Sequence, residues 1–215
     1  MYAFVVVNAE VPDRRAALKA RHRRAILDAA KALIDEGGTA RFSVEELATR
    51  ADVSRRTIFN HFASIDDVVT TACTEVLGTV IEAFRTQVSA SAVGAGTRAE
   101  MFATVAAALR AADVPSTIAF LWRALGGFSA GDPRPRQIFQ ATFSRTTADL
   151  ARELAERHPD RDPLEAELLV SSLMHGTEVI AHHWIAGTGA VTGDRARKHW
   201  HDLLDRLIDD IRTGY

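Results

Sequence analysis

The chain has 215 residues, enough for one large domain or for a small domain joined to a larger one, and 47% of them are hydrophobic, which is ample for a packed core. No apolar run approaches the roughly 18 residues that span a bilayer, and a single cysteine, Cys73, excludes a disulfide framework or a thiolate zinc cluster, so we expect a cytoplasmic protein without membrane contact, metal or cofactor. The net charge is −2, but residues 1–62 carry +3 (11 Lys and Arg, 8 Asp and Glu) and residues 63–215 carry −5 (15 and 20), so the average does not exclude a nucleic-acid partner.

The positive charge of the first part is concentrated in the first predicted helix. Residues 1–13 are expected to form a flexible arm. Apolar residues at three- and four-residue steps then predict a helix that begins at about Arg14 or Leu18 and ends at Gly37-Gly38. Six basic residues lie within 14–24, as an electrostatic footprint on phosphate requires, although a solvated helix start explains them equally well.

Two short helices are predicted next, with three residues between them. Ser43 and Glu46 match a capping box, which predicts a helix over Val44–Ala51. Ser54 is a suitable cap for a third helix over Arg55–Phe62. Two short helices joined by such a turn and flanked by longer helices describe a helix-turn-helix.

The third helix is dense in side chains that form hydrogen bonds. Apolar residues such as Leu47 and Ile58 can hold it at a fixed angle, so that its other face projects outward. In the major groove of DNA, arginine matches the acceptors of guanine, asparagine matches adenine, and threonine or an aromatic edge meets the thymine methyl group. The alternative is an ordinary solvated face. The predicted base-reading residues are Arg55, Arg56, Thr57, Phe59, Asn60 and His61.

Contacts to phosphates would position this helix without reading sequence. Basic side chains close to it and the helix starts that follow serine are suited to that role. The candidates are Arg21, Arg24, Arg41, Ser43, Ser54 and Ser64.

The segment FSVEELATRADVSRRTIFNHFASIDDV, with the glycine that ends the first helix, resembles the DNA-binding part of the TetR family of bacterial transcriptional regulators. The matching features are Val53-Ser54, Thr57-Ile58-Phe59 and His61-Phe62, and the match covers about residues 20–70. Three residues depart from the family pattern. Asp52 stands where glycine is usual in the turn, Phe59 where tyrosine is usual, and Ile65 where a lysine usually contacts phosphate.

The remainder of the chain also has helical periodicity. Ser64 with Asp67 predicts the start of a long fourth helix, which ends before the loop SASAVGAG (89–96). Turn sequences separate five further helices, so we predict an all-α chain of about nine helices. The five are expected at about Arg98–Ala112, Ser116–Phe128, Arg136–Arg157, Leu164–Gly187 and Asp194–Thr213.

The resemblance implies a three-helix DNA-binding domain over 14–63 and a helical-bundle domain over 64–215 that binds a ligand and forms a homodimer. Small residues of the eighth helix and the apolar stripe of the ninth are consistent with a partner helix pair. A two-fold dimer would place two reading helices on a palindromic operator, about 34–36 Å apart or a little more. The expected interface residues are Ser172, Gly176, Val179, His183, Trp200, Leu204, Leu207 and Ile211.

A ligand pocket in the larger domain should be apolar with a few polar groups, which indicates a small hydrophobic or aromatic effector. Each aromatic residue is equally at home in the core, and Thr117 and Thr146 are possible polar contacts. The candidates are Phe102, Phe120, Trp122, Phe139, Phe143, Met174 and His175.

Other functions have weaker support in the sequence. His175, Glu178 and His182 share one helix face, but a di-metal bundle needs such an element from two helices. An enzyme would need a nucleophile elbow or a phosphate loop, and an adaptor without DNA binding is the other alternative, since Phe59 and Ile65 each replace a family phosphate contact. We predict a ligand-responsive, sequence-specific DNA-binding repressor.

Overall fold

The computed structural model describes residues 14–38, 40–90, 97–127 and 133–214, and within 133–142 it describes the backbone alone. The described residues form nine α-helices and no strand, which confirms the all-α prediction. The predicted arm at 1–13 lies outside the described residues. The helices are α1 (Arg14–Gly37), α2 (Val44–Arg50), α3 (Arg55–His61), α4 (Ile65–Ser89), α5 (Arg98–Ala111), α6 (Val114–Ala124), α7 (Pro133–Arg157), α8 (Pro163–Thr188) and α9 (Asp194–Thr213).

Helix α6 begins and ends earlier than its sequence suggested. It begins before Ser116 because the Asp113 carboxylate accepts a hydrogen bond from the Ser116 amide at 3.4 Å, and Pro115 occupies a first-turn position where no donor is needed. It ends before Gly126 and Gly127, whose φ angles of +67° and +76° are incompatible with a continuing helix.

The chain divides into two compact units between Ala72 and Cys73, within helix α4. We expected the boundary at residue 63, before this helix begins. Because α4 is continuous from Ile65 to Ser89, its first turns belong to the first unit and its later turns to the second.

The first unit has an apolar core formed by α1, α2, α3 and the start of α4. Its most buried side chains are at most 2% exposed, and Val53 of the turn between α2 and α3 is half-buried. Burial of these side chains is the main source of stability for a unit of this size. They include Ile26, Leu27, Ile34, Leu47, Ile58, Phe62 and Val68.

The second unit is centred on α8, which packs against α7 and α9. Trp184 and Trp200 lie edge to face with ring centroids 6.1 Å apart, and the Trp184 indole N–H donates to the carbonyl of Ala196 at 2.8 Å. A methyl group at Gly176 would collide with the Leu207 side chain. The glycine therefore allows α9 of the same chain to approach α8 closely.

Within the described ranges, no single helix is long and apolar enough to cross a membrane. Helices α5 and α6 pass the length and composition test only as a pair, with a bend of 54° between them. Both contribute buried residues to the core of the second unit.

Candidate functional site

Two features hold helix α3 at its angle. Asp52 adopts a left-handed φ of +52° in the turn, which aspartate tolerates better than most residues. The Ser54 hydroxyl then accepts a hydrogen bond from the Thr57 amide at 3.1 Å and caps the helix, as predicted. Ile58 is fully buried, so the opposite side of α3 faces away from the core.

Four of the predicted base-reading residues are exposed on that opposite side. We call Arg55, Arg56, Phe59 and Asn60 the reading face. Phe59 is 49% exposed, which is unusual for a large apolar side chain that contributes nothing to the core. These four side chains offer guanidinium and amide groups and an aromatic edge to a partner surface.

The other two predicted base-reading residues are partly buried. The Thr57 hydroxyl lies 2.8 Å from the Ser54 hydroxyl and so belongs partly to the cap. The His61 ring meets the His22 ring of α1 edge to face at 6.2 Å, which turns it toward α1. Burial, with Lys19, His22 and Arg23 nearby, lowers the pKa of His61, so it is neutral at pH 7.

An acidic residue of α2 contacts the reading face. Glu45 Oε1 lies 2.7 Å from Arg55 Nη1, and both side chains are well exposed. Sequence reasoning missed this pair because Glu45 and Arg55 lie on different helices, and their approach depends on the angle of the turn.

A second contact missed from the sequence involves Arg23 of α1. Its guanidinium lies over the Phe62 ring, 4.7 Å from the centroid. Such a cation–π contact links α1 to the end of α3. The helical spacing of Arg23 gave no signal for it, since Phe62 is distant in sequence.

The predicted phosphate-binding residues are all exposed, but the helix starts differ in charge. Acidic residues stand in the first turns of α2 and α4, whereas α3 has none there. Carboxylates at a helix N-terminus repel phosphate, so α3 has the most favourable start for an anion among these three. The exposed candidates are Arg21, Arg24, Arg41, Ser43, Ser54 and Ser64.

The three serines each cap a helix. The Ser43 hydroxyl accepts from the Glu46 amide at 3.1 Å, and the Glu46 carboxylate accepts from the Ser43 amide at 2.7 Å, which completes the predicted capping box. These bonds lower the pKa of Glu46. At Ser64 the arrangement differs, because the Asp67 carboxylate accepts from the amide of Ala63 at 2.9 Å.

The second unit contains an apolar cavity of about 740 Å³, including its open mouth. One wall is a face of α4, and the others come from α5 to α8. The predicted pocket residues Phe143 and Met174 line it, as do Thr117 and Thr146. The complete described lining is Leu77, Val80, Ile81, Phe84, Leu109, Ala112, Val114, Thr117, Ile118, Leu121, Phe143, Thr146, Leu150, Met174, Thr177, Glu178 and Ala181.

The other predicted pocket residues lie elsewhere. Phe120 is buried in the core without lining the cavity, and Phe102 and Trp122 pack against that core. His175 is exposed, with its Nδ1 2.8 Å from the Ser171 carbonyl oxygen, and its ring meets Phe143 at 5.9 Å. The Phe139 side chain lies outside the described part of the structure.

The sequence held a signal for the α4 wall that we did not use. Leu77, Val80, Ile81 and Phe84 follow three- and four-residue steps, so they share one face of α4. We read that face as core, and periodicity alone does not distinguish a core from a cavity.

The expected dimer-interface residues fall into three groups. Ser172, Val179 and His183 of α8 are exposed, while Gly176, Leu207 and Ile211 are half-buried. Trp200 and Leu204 are each only 1% exposed and lie inside the core of their own unit rather than on a surface. Helix α8 of the same chain covers the most apolar side of α9, which is why these two residues are not available to a second chain.

The described residues include no group of three or more His, Cys, Asp or Glu side chains arranged to hold a metal ion. Burial raises the pKa of the Cys73 thiol to about 11, so this thiol is protonated at neutral pH.

Comparison with known proteins agrees with this arrangement. Residues 26–71 match the family model described as bacterial regulatory proteins, tetR family. These residues contain α2, α3 and the turn that aims α3, which are the elements that carry the reading face. The chain belongs to the TetR family of bacterial transcriptional regulators.

Curated relatives and solved structures extend the likeness beyond the DNA-binding unit. The chain is 25% identical over 190 residues to the HTH-type transcriptional regulator BetI of Burkholderia cenocepacia, covering 86% of this chain and 93% of the relative. The BetI of Burkholderia lata gives the same identity over 189 residues.

Two crystal structures share the fold. A putative transcriptional regulator from Pseudomonas aeruginosa has a TM-score of 0.56 at 20% identity, covering 93% of this chain and 92% of its own. A putative TetR-family regulator from Mesorhizobium loti has a TM-score of 0.54 at 19% identity, covering 89% and 96%. As a TetR-family member, the chain is a DNA-binding transcriptional regulator and not an enzyme.

Proposed function

We propose that the chain is a cytoplasmic, homodimeric repressor that reads a palindromic operator through the reading face and is released by a small hydrophobic effector. The observation that carries the proposal is an apolar cavity in the second unit whose wall includes the same helix, α4, that begins in the DNA-binding unit. A ligand in that cavity therefore contacts the helix that leads directly into the DNA-binding unit.

Sequence-specific reading is supported by the composition of the reading face. Arg55 and Arg56 can each bond the O6 and N7 acceptors of guanine, and Asn60 can bond adenine. Phe59 can contact a thymine methyl group, which favours a mixed operator half-site. All four side chains are exposed.

Helix α4 provides the route for effector response. Its residues Leu77 to Phe84 line the cavity, while Ile65 to Ala72 belong to the first unit. A ligand that fits one position of α4 better than another would change the spacing of the two reading faces in a dimer. The loss of DNA affinity is limited by the preference of the ligand for the released state, about 1–3 kcal/mol in typical cases.

An exposed apolar stripe on α8 supports the homodimer. Leu164, Leu168 and Val179 are 53%, 59% and 56% exposed, and helical spacing places them on one side of α8 together with Ser172. Exposed apolar patches of this kind mark protein–protein interfaces. A second copy of α8 would cover them.

Selection of genomic DNA tests the operator part of the proposal. The purified chain is mixed with fragments of its own genome, and the bound fragments are sequenced. We expect a shared palindrome with half-sites about one helical turn apart, and an affinity that falls linearly with salt on logarithmic axes. A fragment with scrambled half-sites is the control, and failure to enrich any motif would contradict the proposal.

Cavity filling tests the effector part. Ala181 lines the cavity, so Ala181→Trp should abolish binding of the neutral apolar dye Nile red, measured by fluorescence. Ala186→Trp, on an exposed position of the same helix, should bind the dye as the wild type does. Equal dye binding by both variants would argue against the cavity.

Sedimentation of a charged variant tests the dimer. Val179→Arg should convert the dimer to a monomer, because it places a charge in the proposed interface. Val191→Arg is the matched control, since Val191 is also exposed but lies beyond α8. A dimer that persists in Val179→Arg would exclude the α8 stripe as the interface.

A further inference from the structure

The cavity has an unusual balance of polar groups. Of its 17 described lining residues, 13 are apolar, three are threonines and one, Glu178, is charged. The described lining contains no lysine, arginine or histidine. A ligand in this cavity therefore meets one negative charge and, from the described side chains, no positive charge.

The hydrogen-bond donors of two threonines are already used within their own helices. The Thr117 hydroxyl donates to the carbonyl of Asp113 at 3.3 Å, and the Thr177 hydroxyl donates to the carbonyl of Leu173 at 2.8 Å. A hydroxyl whose proton is engaged offers only its lone pairs to a ligand. Thr117 and Thr177 therefore act toward the cavity as acceptors.

Glu178 is half-buried on α8, and its carboxylate makes no hydrogen bond or ion pair with any residue that the structure describes. A carboxylate that is partly removed from water and lacks a partner is unfavourable, and a cation beside it offsets that cost. The rings of Phe84 and Phe143 also line the cavity, and the faces of aromatic rings attract cations.

We propose that the cavity selects an apolar molecule with one positively charged amine, whose N–H groups bond Glu178 and the threonine hydroxyls. This inference rests on the proposed function of the cavity as the effector site, and it names the chemical class of the effector. Carboxylates and phosphate esters are excluded by the same groups, because they bring negative charge and acceptors to a site made of acceptors.

Three probes with the same apolar part test the inference: 4-phenylbutylamine, 4-phenylbutan-1-ol and 4-phenylbutyrate. Their affinities for the full chain are measured by calorimetry. We expect the amine to bind at least about tenfold more tightly than the alcohol, since a charge-assisted hydrogen bond in a partly dry site has about this effect. The carboxylate should bind most weakly.

Two isosteric variants assign the selectivity to one residue. Glu178→Gln should reduce amine affinity by about tenfold and leave alcohol affinity unchanged, because it removes the charge and keeps the shape. Glu167→Gln, at an exposed position of α8, is the matched control and should change neither. Thermal unfolding of both variants verifies that they are folded.

The outcomes separate this inference from the proposed function. Equal binding of amine and alcohol, or an amine affinity that Glu178→Gln leaves unchanged, overturns the inference, while Nile red binding would still support a hydrophobic effector site. If neither the probes nor Nile red bind, the inference fails together with the cavity.

Discussion

Nη1 of Arg55 lies 2.7 Å from Oε1 of Glu45, so an arginine of the reading face is paired with a carboxylate of the preceding helix. The side chains are 63% and 60% exposed, so water screens the pair and its effect on folding is small. Its effect on DNA binding is larger, because a base edge or a phosphate must compete with Glu45 for the guanidinium.

Glu45→Gln should therefore strengthen DNA binding. We expect the affinity for operator DNA to rise by up to about fivefold, which corresponds to ~1 kcal/mol, the size of a screened charge interaction at this distance. Fluorescence anisotropy at two salt concentrations measures it, and the gain should shrink at high salt. The same substitution in an Arg55→Ala background is the control, and an equal gain there would show that the pair is not responsible.

Base-reading and phosphate-binding arginines should differ in how they affect specificity. Arg55→Ala or Arg56→Ala should cost about 1–3 kcal/mol on the operator and relax the preference at one base position. Arg24→Ala should weaken operator and random DNA alike, because a phosphate contact carries no sequence information. Competition between operator and random fragments measures the ratio, and an equal loss in all three variants would contradict these roles.

The cap of α3 allows stability and DNA binding to be separated. Ser54→Ala removes the acceptor for the Thr57 amide and should lower the free energy of unfolding by about 1 kcal/mol. Ser54→Asn should restore both stability and DNA binding, since asparagine caps equally well. Ser54→Asp should restore stability in urea denaturation but bind DNA less tightly, because its charge repels phosphate. If Ser54→Ala is as stable as the wild type, the cap contributes little.

The local features of this fold could be predicted from the sequence because their causes lie within a few residues. Ser43 and Glu46 form the predicted capping box, and Ser54 caps α3, because a side chain that bonds an amide three residues away needs no other part of the fold. The left-handed backbone of Asp52 was accessible for the same reason.

Contacts between helices could not be predicted in this way. Trp200 and Leu204 form an apolar stripe that suits either a partner chain or the chain's own α8, and periodicity shows only that some surface covers them. The structure shows that α8 does so. Glu178 had been considered only as a metal ligand with His175, because the sequence does not indicate which side of α8 faces a cavity.

The turn before α3 provides a test of backbone strain. Asp52→Ala should lower the free energy of unfolding by about 1 kcal/mol, because alanine tolerates a φ of +52° less well than aspartate does. Asp52→Gly should be neutral or stabilising, and Asp52→Asn, which keeps the tolerance and removes the charge, is the control. Urea denaturation measures all three. An unaffected Asp52→Ala together with a destabilised Asp52→Asn would show that charge matters here and conformation does not.

His61 should make the stability of the chain depend on pH. Burial, with Lys19, His22 and Arg23 nearby, lowers its pKa in the folded chain below the ordinary value of 6.5. The unfolded chain therefore binds this proton more readily than the folded chain. The stability contributed by the neutral ring is fully present above about pH 6.5 and is lost as the pH falls through the lower folded-state value.

His61→Gln should remove this part of the dependence. Urea midpoints measured from about pH 7.5 to about pH 5 should fall less steeply for this variant than for the wild type. His201→Gln is the control, because His201 is exposed on α9, and its profile should follow that of the wild type. Parallel profiles for His61→Gln and the wild type would show that protonation of His61 does not limit stability. A steeper profile for His61→Gln would mean that the ring gains a favourable partner when it is protonated, and the neighbouring His22 would then be the side chain to replace.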